Sequence, residues 1–189
     1  MVSYSAPTAP TLPNPVGLDA KIQQVQLALA AGLPWLAVSY GKAYRGSRSV
    51  NSKTVYFPEV YHAAGEYRDV LPNDNVQAQS FLYPKDPASN LADEPSPVSM
   101  RFTVSVDIVF WYNLERIDPA KTYRFDQELK REVLQVLSRL GGLLVRKTYD
   151  SADEVFRGFS LDTVAPQCLR QPYGGFRISC DFTLDNVLC

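Results

Sequence analysis

From residue 99 to residue 113 the side chains follow a two-residue rule. Met100, Phe102, Val104, Val106, Ile108, Phe110 and Tyr112 take the even positions; Arg101, Thr103, Ser105, Asp107 and Asn113 take odd ones. Successive side chains of an extended strand point to opposite faces, so this period specifies one long strand with an apolar face. Val109 and Trp111 break the rule on the polar parity. The pattern returns near the C-terminus, where Phe176, Ile178, Cys180, Phe182 and Leu184 alternate with Arg177, Ser179, Asp181 and Thr183. Each apolar face has to be buried against another layer.

Two helices supply that layer. Leu18, Ile22, Val25 and Leu29 form one stripe at helical spacing between Leu18 and Ala31, and Gly32 with Pro34 stops it. A second helix is predicted from Asp118-Pro119, an oxygen-bearing cap followed by a first-turn proline. Phe125, Leu129, Val133, Val136 and Leu140 are its buried stripe, and Gly141-Gly142 ends it. Residues 53–62, 66–71, 79–83 and 143–148 read as strands, with Pro58 demoting the first to an edge or breaking its ladder. Ser151 and Glu154 match a capping box for one short turn. The order of elements implies an α+β fold: a mostly antiparallel sheet with two helices packed on one face.

Three stretches fall outside this pattern. Residues 1–17 carry Pro7, Pro10, Pro13 and Pro15 and are expected to be an extended arm ahead of a single domain over 18–189. The arm is either a disordered terminus or a strap on a neighbouring subunit. Residues 41–53 read as a loop, the most basic part of the chain, with Lys42, Arg45, Arg48 and Lys53. Residues 84–98 combine four prolines with Asp86, Asp93 and Glu94, which makes a long exposed loop.

Composition narrows the function classes. Nineteen basic residues against 20 acidic ones leave a net charge of -1. Binders that grip nucleic acid without regard to sequence usually carry a basic excess, so that class starts at a disadvantage. Cys168, Cys180 and Cys189 have no paired spacing, and Cys180 falls on an apolar strand face, so a disulfide framework is not expected. No signal-peptide core precedes Gly17, and no apolar run reaches the roughly 20 residues of a membrane span. A soluble protein made in a reducing cytoplasm is the expectation.

Reactive constellations are sparse. His62 is the single histidine, so any catalytic triad or zinc site would have to use it. Gly141-Gly142 and Gly174-Gly175 lack the spacing of phosphate-binding loops. The carboxylate pairs Asp93-Glu94 and Asp153-Glu154 sit in a proline-rich loop and at a helix start, settings that do not raise a carboxyl pKa for acid catalysis. No enzyme activity, cofactor or metal is expected. Trp111, on the polar parity of the long strand, is either a partner contact or covered by the chain's own loops.

Taken together, the layout resembles the tail terminator (tail completion) proteins of long-tailed bacteriophages. The stretches that carry the likeness are Leu18 to Ala31, Tyr56-Phe57-Pro58-Glu59-Val60-Tyr61, Ser99 to Asn113, Tyr123 to Leu140 and Gly175 to Leu184. The resemblance implies a non-enzymatic virion protein, six copies of which form a ring on the finished tail tube. Such a ring stops tube polymerisation and offers a docking surface to the head-tail connector of the neck. Closed rings are built from heterologous contacts, which need exposed edges, loops and arms. Interface residues are therefore expected in the two loops, at Arg45, Arg48, Lys53, Asp86, Asp93 and Glu94, and at Trp111. Deleting residues 86–97 is expected to leave the fold intact and abolish assembly. A head-tail connector or stopper is the alternative within the class, and a small nucleic-acid-binding domain the alternative outside it.

Overall fold

The long strand spans Ser99–Asn113, and the C-terminal strand pairs with it along its whole length, from Ser99 opposite Val187 to Asn113 opposite Tyr173. The computed structural model describes residues 4–72, 75–85, 90–91, 99–160 and 170–187. In chain order the elements are α1 (Gly17–Gly32), β1 (Val38–Val50), β2 (Lys53–Ala63), β3 (Glu66–Asp69), β4 (Ala78–Pro84), β5 (Asn90–Leu91), β6 (Ser99–Asn113), α2 (Leu114–Ile117), α3 (Asp126–Leu137), β7 (Leu143–Tyr149), α4 (Ala152–Val155) and β8 (Tyr173–Val187). The sheet order is β3-β2-β1-β4-β6-β8-β7, with β5 also on β6. Among the described strands β1 and β4 run parallel and the other pairings are antiparallel. The fold is α+β.

The even side chains of β6 build the main core. Val106, Ile108, Phe110 and Tyr112 pack with Phe176, Ile178, Cys180 and Phe182 of β8, and the α1 and α3 stripes cover them. Ile22, Val25 and Leu29 come from α1, and Leu129, Val133 and Leu137 from α3, all buried. Phe110 and Phe176 stack with ring centroids 4.8 Å apart. Each such side chain contributes about 1.5–3 kcal/mol by leaving water, so this layer dominates the stability.

The second helix is divided. Asp118-Pro119 does not start it: Asp118 instead closes α2, its N–H donating to the Leu114 carbonyl and its Oδ1 accepting from the Ala120 N–H. Asp-Pro suits a turn as well as a cap, and the chain uses it to leave the end of β6 before Phe125 reaches the core. α3 then begins with Asp126 and Glu128 in its first turn, where acids favour the helix dipole. Gly142 follows its end at φ +68, a left-handed conformation that glycine adopts freely.

Residues 41–53 are not a loop. They form most of β1 and the start of a hairpin, Val50 opposite Lys53, closed by Asn51 and Ser52 at φ 49 and 62. Two consecutive left-handed residues make the primed turn that matches strand twist. Pro58 neither lies on an edge nor breaks the ladder, since β2 sits between β1 and β3. Its carbonyl accepts from the Val70 N–H at 3.0 Å, so its nitrogen also faces that side, just past the end of β3. The missing donor therefore costs the β1–β2 pairing nothing.

The odd face of β6 is buried too from Asp107 to Asn113. Val109 and Trp111 join Ala43, Val60, Val70, Phe81, Val155 and Phe156 in a second cluster, with Phe159 and Tyr173 packed against it. Ser151 occupies the cap position of α4, but no side-chain cap bond forms there.

The N-terminal arm is extended, as its prolines require, but it lies on its own chain. The Thr8 N–H donates to the Ala37 carbonyl at 3.0 Å, and the Ser39 N–H donates to the Thr8 carbonyl at 2.9 Å.

Candidate functional site

The distal half of the β1–β2 hairpin is a two-stranded ribbon. Its two arginines lie over aromatic rings. The Arg45 guanidinium lies 3.8 Å from the centroid of the Tyr56 ring, and that of Arg48 lies 4.9 Å from the Phe57 ring. Arg48 also reaches Asp69 of β3 at 2.8 Å. Arg45 and Arg48 differ in parity, so the two stacks lie on opposite faces of the ribbon. Gly46 makes room for this: a Cβ there would stand 2.6 Å from Phe57 Cε2. Lys53 begins β2 beside the turn and is exposed.

At the ribbon's root, Lys42 Nζ lies 3.0 Å from Asp19 Oδ1 of α1. Burial would lower the Lys42 pKa, but the hydrogen bond and charge of Asp19 outweigh it and raise the value. Residues 42–57 thus hold four of the chain's 19 basic residues and none of its 20 acidic ones. A stacked guanidinium keeps its N–H edge available for planar anions. Arg48 turns one such edge to Asp69 and Lys42 is paired with Asp19, so Arg45 and Lys53 are the cations this surface presents outward.

A second set of ionisable groups is engaged internally. On the odd face of β6, Asp107 receives Ser179 Oγ at 2.7 Å and Lys85 Nζ at 3.0 Å, with Arg177 Nη1 at 3.6 Å. Arg177 Nη2 donates to Glu154 Oε2 at 3.0 Å, and the guanidinium lies over the Tyr149 ring. Glu154, the acidic half of the expected capping box, is turned to Arg177. Two cations and two carboxylates brace β4, β6, β8 and α4 together. Charges balanced this way are structural. Cys180 is wholly buried, and burial with Asp107 and Asp181 nearby pushes its thiol up to about 12, far from a reactive thiolate.

His62 lines an open concavity of about 740 Å³ with Thr8, Tyr40, Gln77, Glu115 and Arg116. Its Nδ1 is buried with no hydrogen-bond partner among the described residues. Among those residues no three His, Cys, Asp or Glu side chains cluster as metal ligands, and no helix is long and apolar enough to cross a membrane.

Of the residues expected at an interface, Arg45, Arg48 and Lys53 share the ribbon. Trp111 does not belong with them. It is 3% exposed and stacks on Tyr173 at 5.7 Å, so the chain's own β8 covers it. Asp86, Asp93 and Glu94 lie outside the described residues. Within their stretch, Asn90 and Leu91 pair with Thr103 and Phe102, so β5 borders β6 where β4 has ended. Sequence reasoning missed Tyr56 and Phe57 as the stacking platforms; the aromatic pair facing a basic run across a two-residue turn was the available signal.

No protein-family model, curated protein or solved structure matches this chain.

Proposed function

We propose that this chain is a non-enzymatic virion protein, a ring-forming tail terminator at the head-proximal end of a phage tail tube. It is made in the host cytoplasm, and about six copies close the ring, halt tube growth and dock the neck connector. The observation that carries this reading is the projecting basic ribbon, braced by arginine–aromatic stacks, on a body whose buried charges neutralise one another. A surface of that kind serves docking, with rigid cations placed away from the core. DNA passes through the lumen of such a ring without being read.

The test mixes purified protein with isolated tail tubes and images the tube ends by negative stain. Caps at one end of each tube are expected from the native chain. The variant Arg45→Glu/Arg48→Glu/Lys53→Glu keeps its circular dichroism spectrum and fails to cap. Capping that survives the triple reversal removes the ribbon from the mechanism. Binding to portal complexes in place of tubes reassigns the protein to the connector.

The ribbon also favours one second reading, a nucleic-acid-binding β-ribbon, because paired strands bearing arginines fit a DNA groove. Duplex binding that weakens steeply with salt supports that reading; its absence at low salt dismisses it.

A further inference from the structure

Residues 4–16 are held to the body mainly by polar contacts, with Tyr4 packing half-buried against the main core. Besides the Thr8 pairing with β1, the Tyr4 hydroxyl donates to the Ile117 carbonyl at 2.9 Å. The Leu12 N–H donates to Gln23 Oε1 at 2.8 Å. Gln26, only 1% exposed, aims its amide nitrogen at the Pro10 carbonyl at 2.7 Å and the Ser39 carbonyl at 2.8 Å. The groove reads the arm's backbone, as a strand-adding surface does. None of residues 4–16 is fully buried, and Pro10 borders open space on both sides of the arm. Segments with so little buried area open at low free energy.

The junction with α1 is equally loose. Leu12 beside Gln23 and Pro10 beside Gln26 mean that the arm runs back along α1, so the chain reverses within residues 13–17. That reversal contains Pro13 and Pro15, which stiffen an extended backbone. It closes through Gly17 at φ +54, with open space around the position of a Cβ. Val16 is 78% exposed and caps α1 without a side-chain bond.

We propose that copies of this chain exchange their arms. In the assembled ring, residues 4–12 of one subunit lie in the groove of α1, β1 and α2 of its neighbour, the seat that a lone subunit fills with its own arm. Every arm–groove bond is retained in the exchange, so the hinge and the local concentration decide the outcome. A five-residue hinge straightened by its prolines reaches roughly 15 Å from α1, enough to cross a subunit boundary. Short reversals of stiff sequence open toward the exchanged form. The proposal takes its second copy from the ring reading.

The test uses the full chain with Cys168→Ser and Cys189→Ser, and adds Thr8→Cys and Val38→Cys at the paired positions. Oxidised lone subunits should give one covalently closed chain. Oxidised assemblies should give a ladder of joined chains on a non-reducing gel. A second variant, Pro13→Gly/Pro15→Gly, should lower the joined fraction at least about twofold by freeing the reversal. Assemblies that form but crosslink only within single chains overturn the exchange and leave the ring standing. A native chain that neither self-associates nor caps tubes overturns both.

Discussion

Asp107 and Arg177 meet across β6 and β8 at 3.6 Å, each with a side chain under 5% exposed. A face that alternation marks as polar is thereby dry, and the pair is held from outside by Lys85 and Glu154. Removing one partner strands the others. Arg177→Met should cost about 3–5 kcal/mol in urea unfolding, because it leaves a buried carboxylate uncompensated. Arg177→Met with Asp107→Leu should cost less than Arg177→Met alone. A double variant as unstable as the sum of its singles would show that the pair is not coupled.

Acid should loosen the protein through Asp126 and Asp181. Burial works against ionisation of both, but hydrogen bonds prevail. Arg124 and Tyr112 hold Asp126 below the usual carboxylate range, and Arg146 and Ser105 hold Asp181 there. A folded value below the unfolded one, about 3.9, means stability that is complete above that pH and lost as pH falls through the folded value. Urea midpoints should therefore stay level from pH 7 to about 5 and decline below about 4. Asp126→Asn should flatten part of that decline and lower stability at neutral pH.

Trp111 separates packing from docking. Trp111→Ala should cost about 3–5 kcal/mol by opening a cavity beside Tyr173. Capping of tubes, assayed well below the variant's melting temperature, should match the native protein. Loss of capping in a folded variant would return Trp111 to an interface.

The ribbon's turn can be improved. Ser52 sits at φ 62, where an L side chain crowds the backbone. Ser52→Gly should slow hydrogen exchange of the Val50 and Lys53 amides, by up to about 1 kcal/mol of local opening free energy. Faster exchange there would mean that the serine makes a compensating bond.

How far the sequence announced this fold depends on how each element meets water. β6 and β8 carry their apolar parity in the sequence because one face packs under α1 and α3. The limits of β6 follow from the pattern, whereas β8 runs beyond the alternating stretch at both ends, from Tyr173 to Val187. The same period labels Asp107, Arg177 and Ser179 as polar without telling whether that face is wet. Its cover, Val155, Phe156 and Phe159, comes from a stretch with no regular spacing. The ribbon was hidden for the converse reason. With solvent on both sides, residues 44–54 have no apolar face to reveal a strand, and so they read as a loop. Arg45, Arg48 and Lys53 were visible as a basic run, whereas their arrangement on two faces depends on Tyr56 and Phe57 across the turn. The parallel β1–β4 contact joins residues some 40 positions apart, and no local pattern encodes it.

Neither hydrophobic cluster draws a side chain from residues 44–59. Val55 and Pro58 are buried, however, and Tyr56 exchanges hydrogen bonds with Ser160. It is therefore the tip, residues 44–54, that can drift in sequence while the body folds as before, which lets a lineage retune its choice of partner quickly. The same independence makes it a natural place to graft foreign epitopes.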